Sequence, residues 1–441
     1  MRQRRYPASC TQLPISYFLV TRLILVHLCL PLFAILAYSS VGFCTTRNTG
    51  SAPGGSTHAV SGGSLQLKIP VSHSLVGAER VSYVLSLESG QFVRLVCTPF
   101  NLDVVLSVVS PETQKVVELD TTDGSGGQRT LFWIAKTPGQ HLVQVRSAHK
   151  TASKGSYQLE LEESKPATTQ EAGLIEAQDN FLAAERLRRA GDGDSLHQSL
   201  PKYQHAAEIW ETTKQLSLKA KALRQNGFVL FSVGQNQQAL QPLNEALSLA
   251  RSVGDRTAES AALHTLGEAH YYVADYQEAL GLFNRCLPMQ LSDDFAPQRA
   301  DTVNDIAVVY DDMGHAQTAL GYYGQALTLK HQVGNRADEA SILGNIAIVY
   351  DNLGDKQTAL RYYKAALATQ TALHNLRGEG LALNNVGTLY HSLGDQWRAL
   401  EYYSQALPLF EKTGDRQEKG RALSNIARSY AQLARTVPTG P

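Results

Sequence analysis

A multidomain chain, an antiparallel β-sandwich followed by an all-α superhelix, is the fold class that the sequence predicts. Three observations carry this reading. Apolar residues alternate with a period of two between residues 64 and 163, the period turns helical after Pro166, and from about residue 219 the chain repeats itself every 40 residues. At roughly 150 residues per domain, 441 residues correspond to about three segments. Hydrophobic residues at 43% and charged residues at 18% exclude a disordered or collagen-like chain. Forty Lys and Arg against 40 Asp and Glu leave no global field that would draw the chain to nucleic acid or anionic lipid.

The first 44 residues read as an export segment. Arg2, Arg4 and Arg5 precede an apolar run that extends from Leu23 through Phe43, long enough to cross a bilayer. Ala37-Tyr38-Ser39 fits a signal-peptidase site, so both a cleaved signal and an uncleaved anchor are open. Either places the residues after 44 on the extracytoplasmic side and limits membrane contact to this segment. Residues 45–63 are rich in Gly, Ser and Thr and read as a flexible linker. Of five cysteines, Cys10, Cys29 and Cys44 fall in or before these stretches. Cys97 and Cys286 are too far apart in type of element to form a disulfide framework, and are expected to be small buried apolar residues.

From Ser64, alternating residues such as Val81, Tyr83, Leu85 and Leu87 mark seven or eight short strands, punctuated by Gly90, Pro111 and Pro138-Gly139. Residues 64–163 are therefore the sandwich. Leu87-x-x-Gly90-Gln91, Asp103-x-x-Leu106, Thr137-Pro138-Gly139-Gln140-His141 and Gly155-x-Tyr157-x-Leu159-x-Leu161 resemble the bacterial pre-peptidase C-terminal domain, with His141 where that family usually has tyrosine. The resemblance implies an exported accessory module without catalysis of its own. The loop Asp120-Thr-Thr-Asp123-Gly124 offers two carboxylates, too few for calcium.

The 40-residue repeat is the strongest signal. Ala-Leu recurs at 239, 279, 319, 359 and 399, and a second pair begins seven residues later at Ala246, Cys286, Ala326, Ala366 and Ala406. Small residues at 227, 267, 307, 347 and 387 let paired helices approach, and Leu243, Phe283, Tyr323, Tyr363 and Tyr403 fill the space between them. Gly234, Gly314, Gly354 and Gly394 reverse the chain, with Ala274 as the exception. The pattern resembles the tetratricopeptide repeat in a 40-residue variety, over 219–435, with degenerate helices of the same kind at 173–216 and an unpaired helix from Arg421 to Leu433 whose apolar face predicts a homodimer or a capping partner.

That resemblance implies a concave groove that takes a protein or peptide segment. The groove positions fall on Asn304, Asp305, Asn345, Asn384, Asn385 and Asn425, with Asp301 and Asp312 making the middle repeats acidic; a basic or amide-rich ligand is expected. No GxxxxGK[ST], HExxH or GxSxG pattern is present, no cluster has zinc spacing, and no catalytic residue, metal or cofactor is assigned. His264 and His270 read as packing histidines. The order of export segment, sandwich and repeats resembles the front half of bacterial proteins that carry a caspase-like CHAT protease. The sequence thus predicts a non-catalytic interaction scaffold, or alternatively the regulatory half of a CHAT-type protease system whose catalytic domain is absent from this chain.

Overall fold

The computed structural model describes residues 59–77, 79–100, 102–111, 116–119, 127–148, 155–292 and 295–436. The stretch read as an export segment, most of the stretch read as linker and the Asp120–Asp123 loop lie outside the described residues. Among the described residues no helix is long and apolar enough to cross a membrane.

Nine strands come first: β1 (Ala59–Ser64), β2 (Val71–Leu75), β3 (Arg80–Leu87), β4 (Gln91–Phe100), β5 (Val104–Val109), β6 (Val116–Leu119), β7 (Arg129–Ile134), β8 (Gly139–Ser147) and β9 (Gly155–Pro166). They form two sheets, ordered β1-β3-β8-β5-β6 and β2-β9-β4-β7. The ladders are antiparallel except β1 with β3, which is parallel. Alternation puts Val81, Tyr83, Leu85 and Leu87 of β3 inward, where they share one core with Val93, Leu95 and Cys97 of β4 and Tyr157, Leu159 and Leu161 of β9. The hydroxyls of Tyr83 and Tyr157 meet across the two sheets at 2.8 Å. His141 is fully buried against the Trp133 ring.

Strand β1 corrects the reading of 45–63 as linker throughout. A parallel ladder needs backbone, not side chains, and Ala59 to Ser64 pair with Arg80 to Val84. Gly62 lies flat on the Tyr83 ring, so close that a Cβ would sit 2.2 Å from Cε1. Here glycine serves close approach rather than flexibility.

The sandwich passes into the helices without a hinge. Thr168 and Glu171 form a capping box: the Thr168 hydroxyl accepts from Gln170 N–H, and Thr168 N–H donates back to Glu171 Oε2 at 3.1 Å. The bond from Thr168, with help from Lys165 at 3.0 Å, overrides burial and holds the Glu171 carboxyl down to about 2. Helix α1 (Thr169–Ala190) then lies along β7, the edge of its sheet. Buried Gln178 accepts the Phe132 N–H at 2.8 Å and donates to the Phe132 carbonyl at 3.0 Å, so one side-chain amide completes the ladder as a neighbouring strand would. Phe92 and Phe132 continue into the apolar core of α1 and of α2 (Gly193–Thr212).

Eleven further helices follow: α3 (Leu216–Ser232), α4 (Asn236–Ser252), α5 (Arg256–Tyr272), α6 (Tyr276–Cys286), α7 (Ala296–Asp312), α8 (Ala316–Gln332), α9 (Arg336–Asn352), α10 (Lys356–Ala372), α11 (Leu376–Ser392), α12 (Gln396–Thr413) and α13 (Arg416–Thr436). Each odd-numbered helix from α3 to α11 pairs with the next. A left-handed residue follows each of α2 to α5 and α7 to α12, at 214, 234, 254, 274, 314, 334, 354, 374, 394 and 414. Seven of these are glycine; Lys214, Ala274 and His374 hold the same conformation at φ 59°, 64° and 53°. Asp or Asn then caps the next helix, as Asp255, Asn335, Asp355, Asn375 and Asp395 do. The regular length fails once, where Pro288 ends α6 early and Leu287–Gln290 tightens into a 3-10 turn.

The expected packing is realised. Leu243, Phe283, Tyr323, Tyr363 and Tyr403 are all buried, and Cys97 and Cys286 are buried thiols. In three successive repeats a tyrosine of one helix stacks on a tyrosine of its partner with near-identical geometry: Tyr310 on Tyr322, Tyr350 on Tyr362 and Tyr390 on Tyr402, at 5.5, 5.6 and 5.5 Å. On α13, Leu423 and Tyr430 are exposed.

Gln178→Ala leaves the Phe132 N–H and carbonyl without their partner, at a cost of about 1–3 kcal/mol. Thermal unfolding is expected to shift down, and amide exchange at Phe132 to accelerate more than exchange in β3. Unchanged protection at Phe132 contradicts the strand-like role of Gln178.

Candidate functional site

The 40-residue register turns the inner face of the helical array into rows. One row runs Lys221, Ala261, Asp301, Ser341, Leu381, Arg421; the next, Arg224, His264, Asn304, Gly344, Asn384, Ser424; the third, Gln225, Thr265, Asp305, Asn345, Asn385, Asn425. All lie on the first helices of the pairs. Between α9 and α11, with α10 behind, these rows open into a cavity of about 450 Å3. Asn345 and Asn385 line it together with Asn375, Gln370, Arg377 and Ser341. Amides and hydroxyls of this kind donate and accept in alternation, as an extended peptide backbone requires. Gly344 also faces the cavity, and a Cβ there would meet nothing within 4 Å. Gln370 donates to the Ala337 carbonyl and accepts from Asn375, which fixes the floor.

The remaining predicted groove residues are drawn into intramolecular bonds. Asn304 donates to Asp305 at 3.2 Å, and Asn425 to Asn384 at 3.0 Å, all four buried. Asp312 accepts the Tyr271 hydroxyl at 2.7 Å. Asp301 and Asp338 share the ammonium of Lys330, at 2.5 and 2.7 Å. Lys330 is 2% exposed and sits in a core row with Ala250, Gln290, Gln370 and Phe410, all buried. A lysine in an otherwise core row was the signal in the sequence that carboxylates must converge there, since a buried ammonium is tolerated only when paired. The acidity of the middle repeats is thus met from inside the fold.

His264 answers the rest of it. Its Nε2 is 3.0 Å from Asp305 and its Nδ1 3.6 Å from Glu268, with the Phe283 ring 5.6 Å away. These three side chains lie close enough together to hold a metal ion, but the imidazole is biased toward its charged form. Burial opposes that charge; Glu268, then Asp305 and Asp301, outweigh it and raise His264 to about 9. Burial pushes Glu268 up to about 8. A charged imidazole beside carboxyl groups, one of them held toward its neutral form by burial, keeps the net charge of the buried cluster low.

With this geometry in view, the comparisons with known proteins fall into place. The family model described as tetratricopeptide repeat matches residues 218–292, 298–372 and 338–412. The helical region carries tetratricopeptide repeats. No curated protein matches the chain. Solved structures similar to it include BtubC from P. vanneervenii, at 18% identity over 56% of this chain and 93% of that one with a TM-score of 0.38. A Rap protein complexed with competence and sporulation factor matches at 14% identity over 60% and 77%, TM-score 0.44. Aspartyl phosphate phosphatase F from Bacillus subtilis matches at 13% over 62% and 86%, TM-score 0.44. In tetratricopeptide terms, the cavity between α9 and α11 lies at the junction of the fourth and fifth full repeats.

His264 and Glu268 both bind protons more tightly when folded: the contribution of Glu268 to stability is full below about pH 4.5 and is lost as pH rises through about 8, and that of His264 is full below about pH 6.5 and is lost as pH rises through about 9. An NMR titration of His264 is expected to show a midpoint well above the ordinary imidazole value, lowered by about 1–2 pH units in Asp305→Asn. A midpoint near 6.5 in the unaltered protein contradicts the triad.

Proposed function

We propose that the chain is a non-catalytic interaction scaffold that holds an extended protein segment on the concave face of its tetratricopeptide repeats. The observation that carries this reading is the amide-lined cavity between α9 and α11, where Asn345 and Asn385 stand on adjacent repeats at the same register. A segment laid across the repeats places its backbone groups opposite both amides, and Arg377, paired with Asp415 at 2.9 Å, lines the same cavity. The charge state of the surroundings supports the reading: Lys330 and His264 neutralise the neighbouring acids, so an uncharged backbone is not opposed by a field. The apolar, basic-flanked run of the N-terminus supports a location outside the cytoplasm as part of this reading, with the sandwich as the module between it and the repeats. No reaction is assigned to it.

Gly344→Arg tests the groove without breaking the helix. The new side chain enters open space, and replacing a mid-helix glycine by a good helix former adds up to about 1 kcal/mol of stability. Capture of protein partners from a lysate of the source cells by the immobilised full chain is expected to fall at least tenfold in Gly344→Arg, while its unfolding temperature holds or rises. Equal capture by both proteins contradicts the groove assignment, and peptidase activity of the purified chain contradicts the non-catalytic reading.

A further inference from the structure

The small-to-bulky contact that joins the helices of each repeat is only half made at α13. On α11, Gly380 and Gly387 are sockets seven residues apart: a Cβ at Gly380 would stand 2.8 Å from the Phe410 ring, and one at Gly387 2.7 Å from the Tyr403 ring. Both knobs come from α12, which also stacks Tyr402 on Tyr390 at 5.5 Å. Helix α13 carries the same face one repeat on, at Gly420, Leu423, Ala427 and Tyr430. There a Cβ on Gly420 would meet nothing within 4 Å. Leu423 is 46% exposed against 5% for Leu383, and Tyr430 56% against 8% for Tyr390. Among the described residues no helix stands over α13 as α12 stands over α11.

The opposite face of α13 is already in use. Ala422, Asn425 and Ser429 are buried, Asn425 donates to Asn384 at 3.0 Å, and the Ser429 hydroxyl lies 3.0 Å from His391 Nδ1. Cations near the open face are met within the chain as well, Lys419 by Glu411 at 2.9 Å and Arg421 by Glu418 at 3.0 Å. What the open face offers is therefore shape and apolar area.

That shape is complementary to itself. The bulky Leu423 and Tyr430 are seven residues apart, as are the small Gly420 and Ala427, and as are the knobs Tyr403 and Phe410 on α12. Two α13 helices laid antiparallel about a two-fold axis beside Asn425 set each Tyr430 against the other copy's Gly420, and each Leu423 against the other copy's Ala427. All the sockets fill at once, as an isologous contact requires. The same register keeps like charges apart, since Arg416, Lys419 and Arg435 fall opposite Ala434, Ala431 and Asp415. We propose that this face of α13 is a homodimer interface, in which a second copy of the chain supplies the helix that α12 supplies to α11. The dimer joins two helical arrays end to end and brings two grooves into one assembly, whatever the groove binds.

One helix face is a small interface, so a dissociation constant of about 1–100 µM is expected, and sedimentation velocity of the full chain across that range is expected to pass from monomer to dimer. Gly420→Leu fills the socket. In the monomer the new side chain enters open space and the helix loses a glycine, so the unfolding temperature holds or rises, while the dimer is expected to weaken about tenfold or more. Tyr430→Ala removes the exposed knob and is expected to weaken the dimer by about the same factor. Because the two residues meet across the axis, the double variant is expected to associate within about threefold of the unaltered chain instead of losing both factors. A chain that stays monomeric at about 100 µM overturns the proposal. So does association that neither single variant weakens, and so do losses that simply multiply in the double variant.

Discussion

Within every repeat a small residue on one helix receives a bulky side chain from the next, and the geometry of the array depends on that contact. A Cβ at Gly227 would stand 2.5 Å from Leu243, at Gly267 2.6 Å from Phe283, and at Gly387 2.7 Å from Tyr403. Alanine takes the small position at 307 and 347, opposite Tyr323 and Tyr363. The interlock sets how closely the two helices approach, and close-packed interiors have no slack to absorb a different spacing. Because the same interlock recurs every 40 residues, the inner face is a set of straight rows. A side chain at one position in a row recurs in the next repeat, and that alignment brings Asn345 and Asn385 to one cavity.

The rows also explain the charge pattern. Carboxylates at Asp301, Asp305 and Asp338 are brought together by the stacking of repeats, and the fold supplies Lys330 and His264 to meet them. Burying an ion pair seldom adds net stability, yet removing one partner leaves a charge without compensation at a cost of about 3–5 kcal/mol. These pairs therefore fix the register of α7, α8 and α9 more than they strengthen it. At the sandwich, Arg94 pairs with Glu162 and Glu163 and Arg129 with Asp103. The junction through Thr168, Glu171 and Gln178 holds the sheet edge against α1.

Local rules made most of this legible in advance. The period of two, the Ala-Leu repeat and the glycine turns located the sandwich, the paired helices and the buried aromatics, since each is a regular spacing along the chain. Ala274 shows that the turn follows the register even where the favoured residue is missing. What sequence reading missed depends on tertiary partners. Strand β1 looks like linker because its pairing resides in the backbone of β3, and Gln178 carries no mark of the sheet edge it completes. Asp301 and Asp305 read as a negative field only while Lys330 and His264 are treated as core. Of the predicted groove positions, Asn345 and Asn385 line the cavity between α9 and α11, while Asn304, Asn384 and Asn425 bond to one another or to Asp305, a choice set by distances between repeats.

The interlock is tested most directly by a double-mutant cycle at the fifth repeat. Gly387→Val drives a branched side chain into Tyr403, and Tyr403→Ala leaves a cavity; each change alone is expected to destabilise the protein by about 2–4 kcal/mol. If the two residues set the helix spacing together, the double variant recovers at least about 1 kcal/mol relative to the sum of the single changes in denaturant unfolding. Strictly additive losses would show that the small and bulky positions act independently, and would contradict the account.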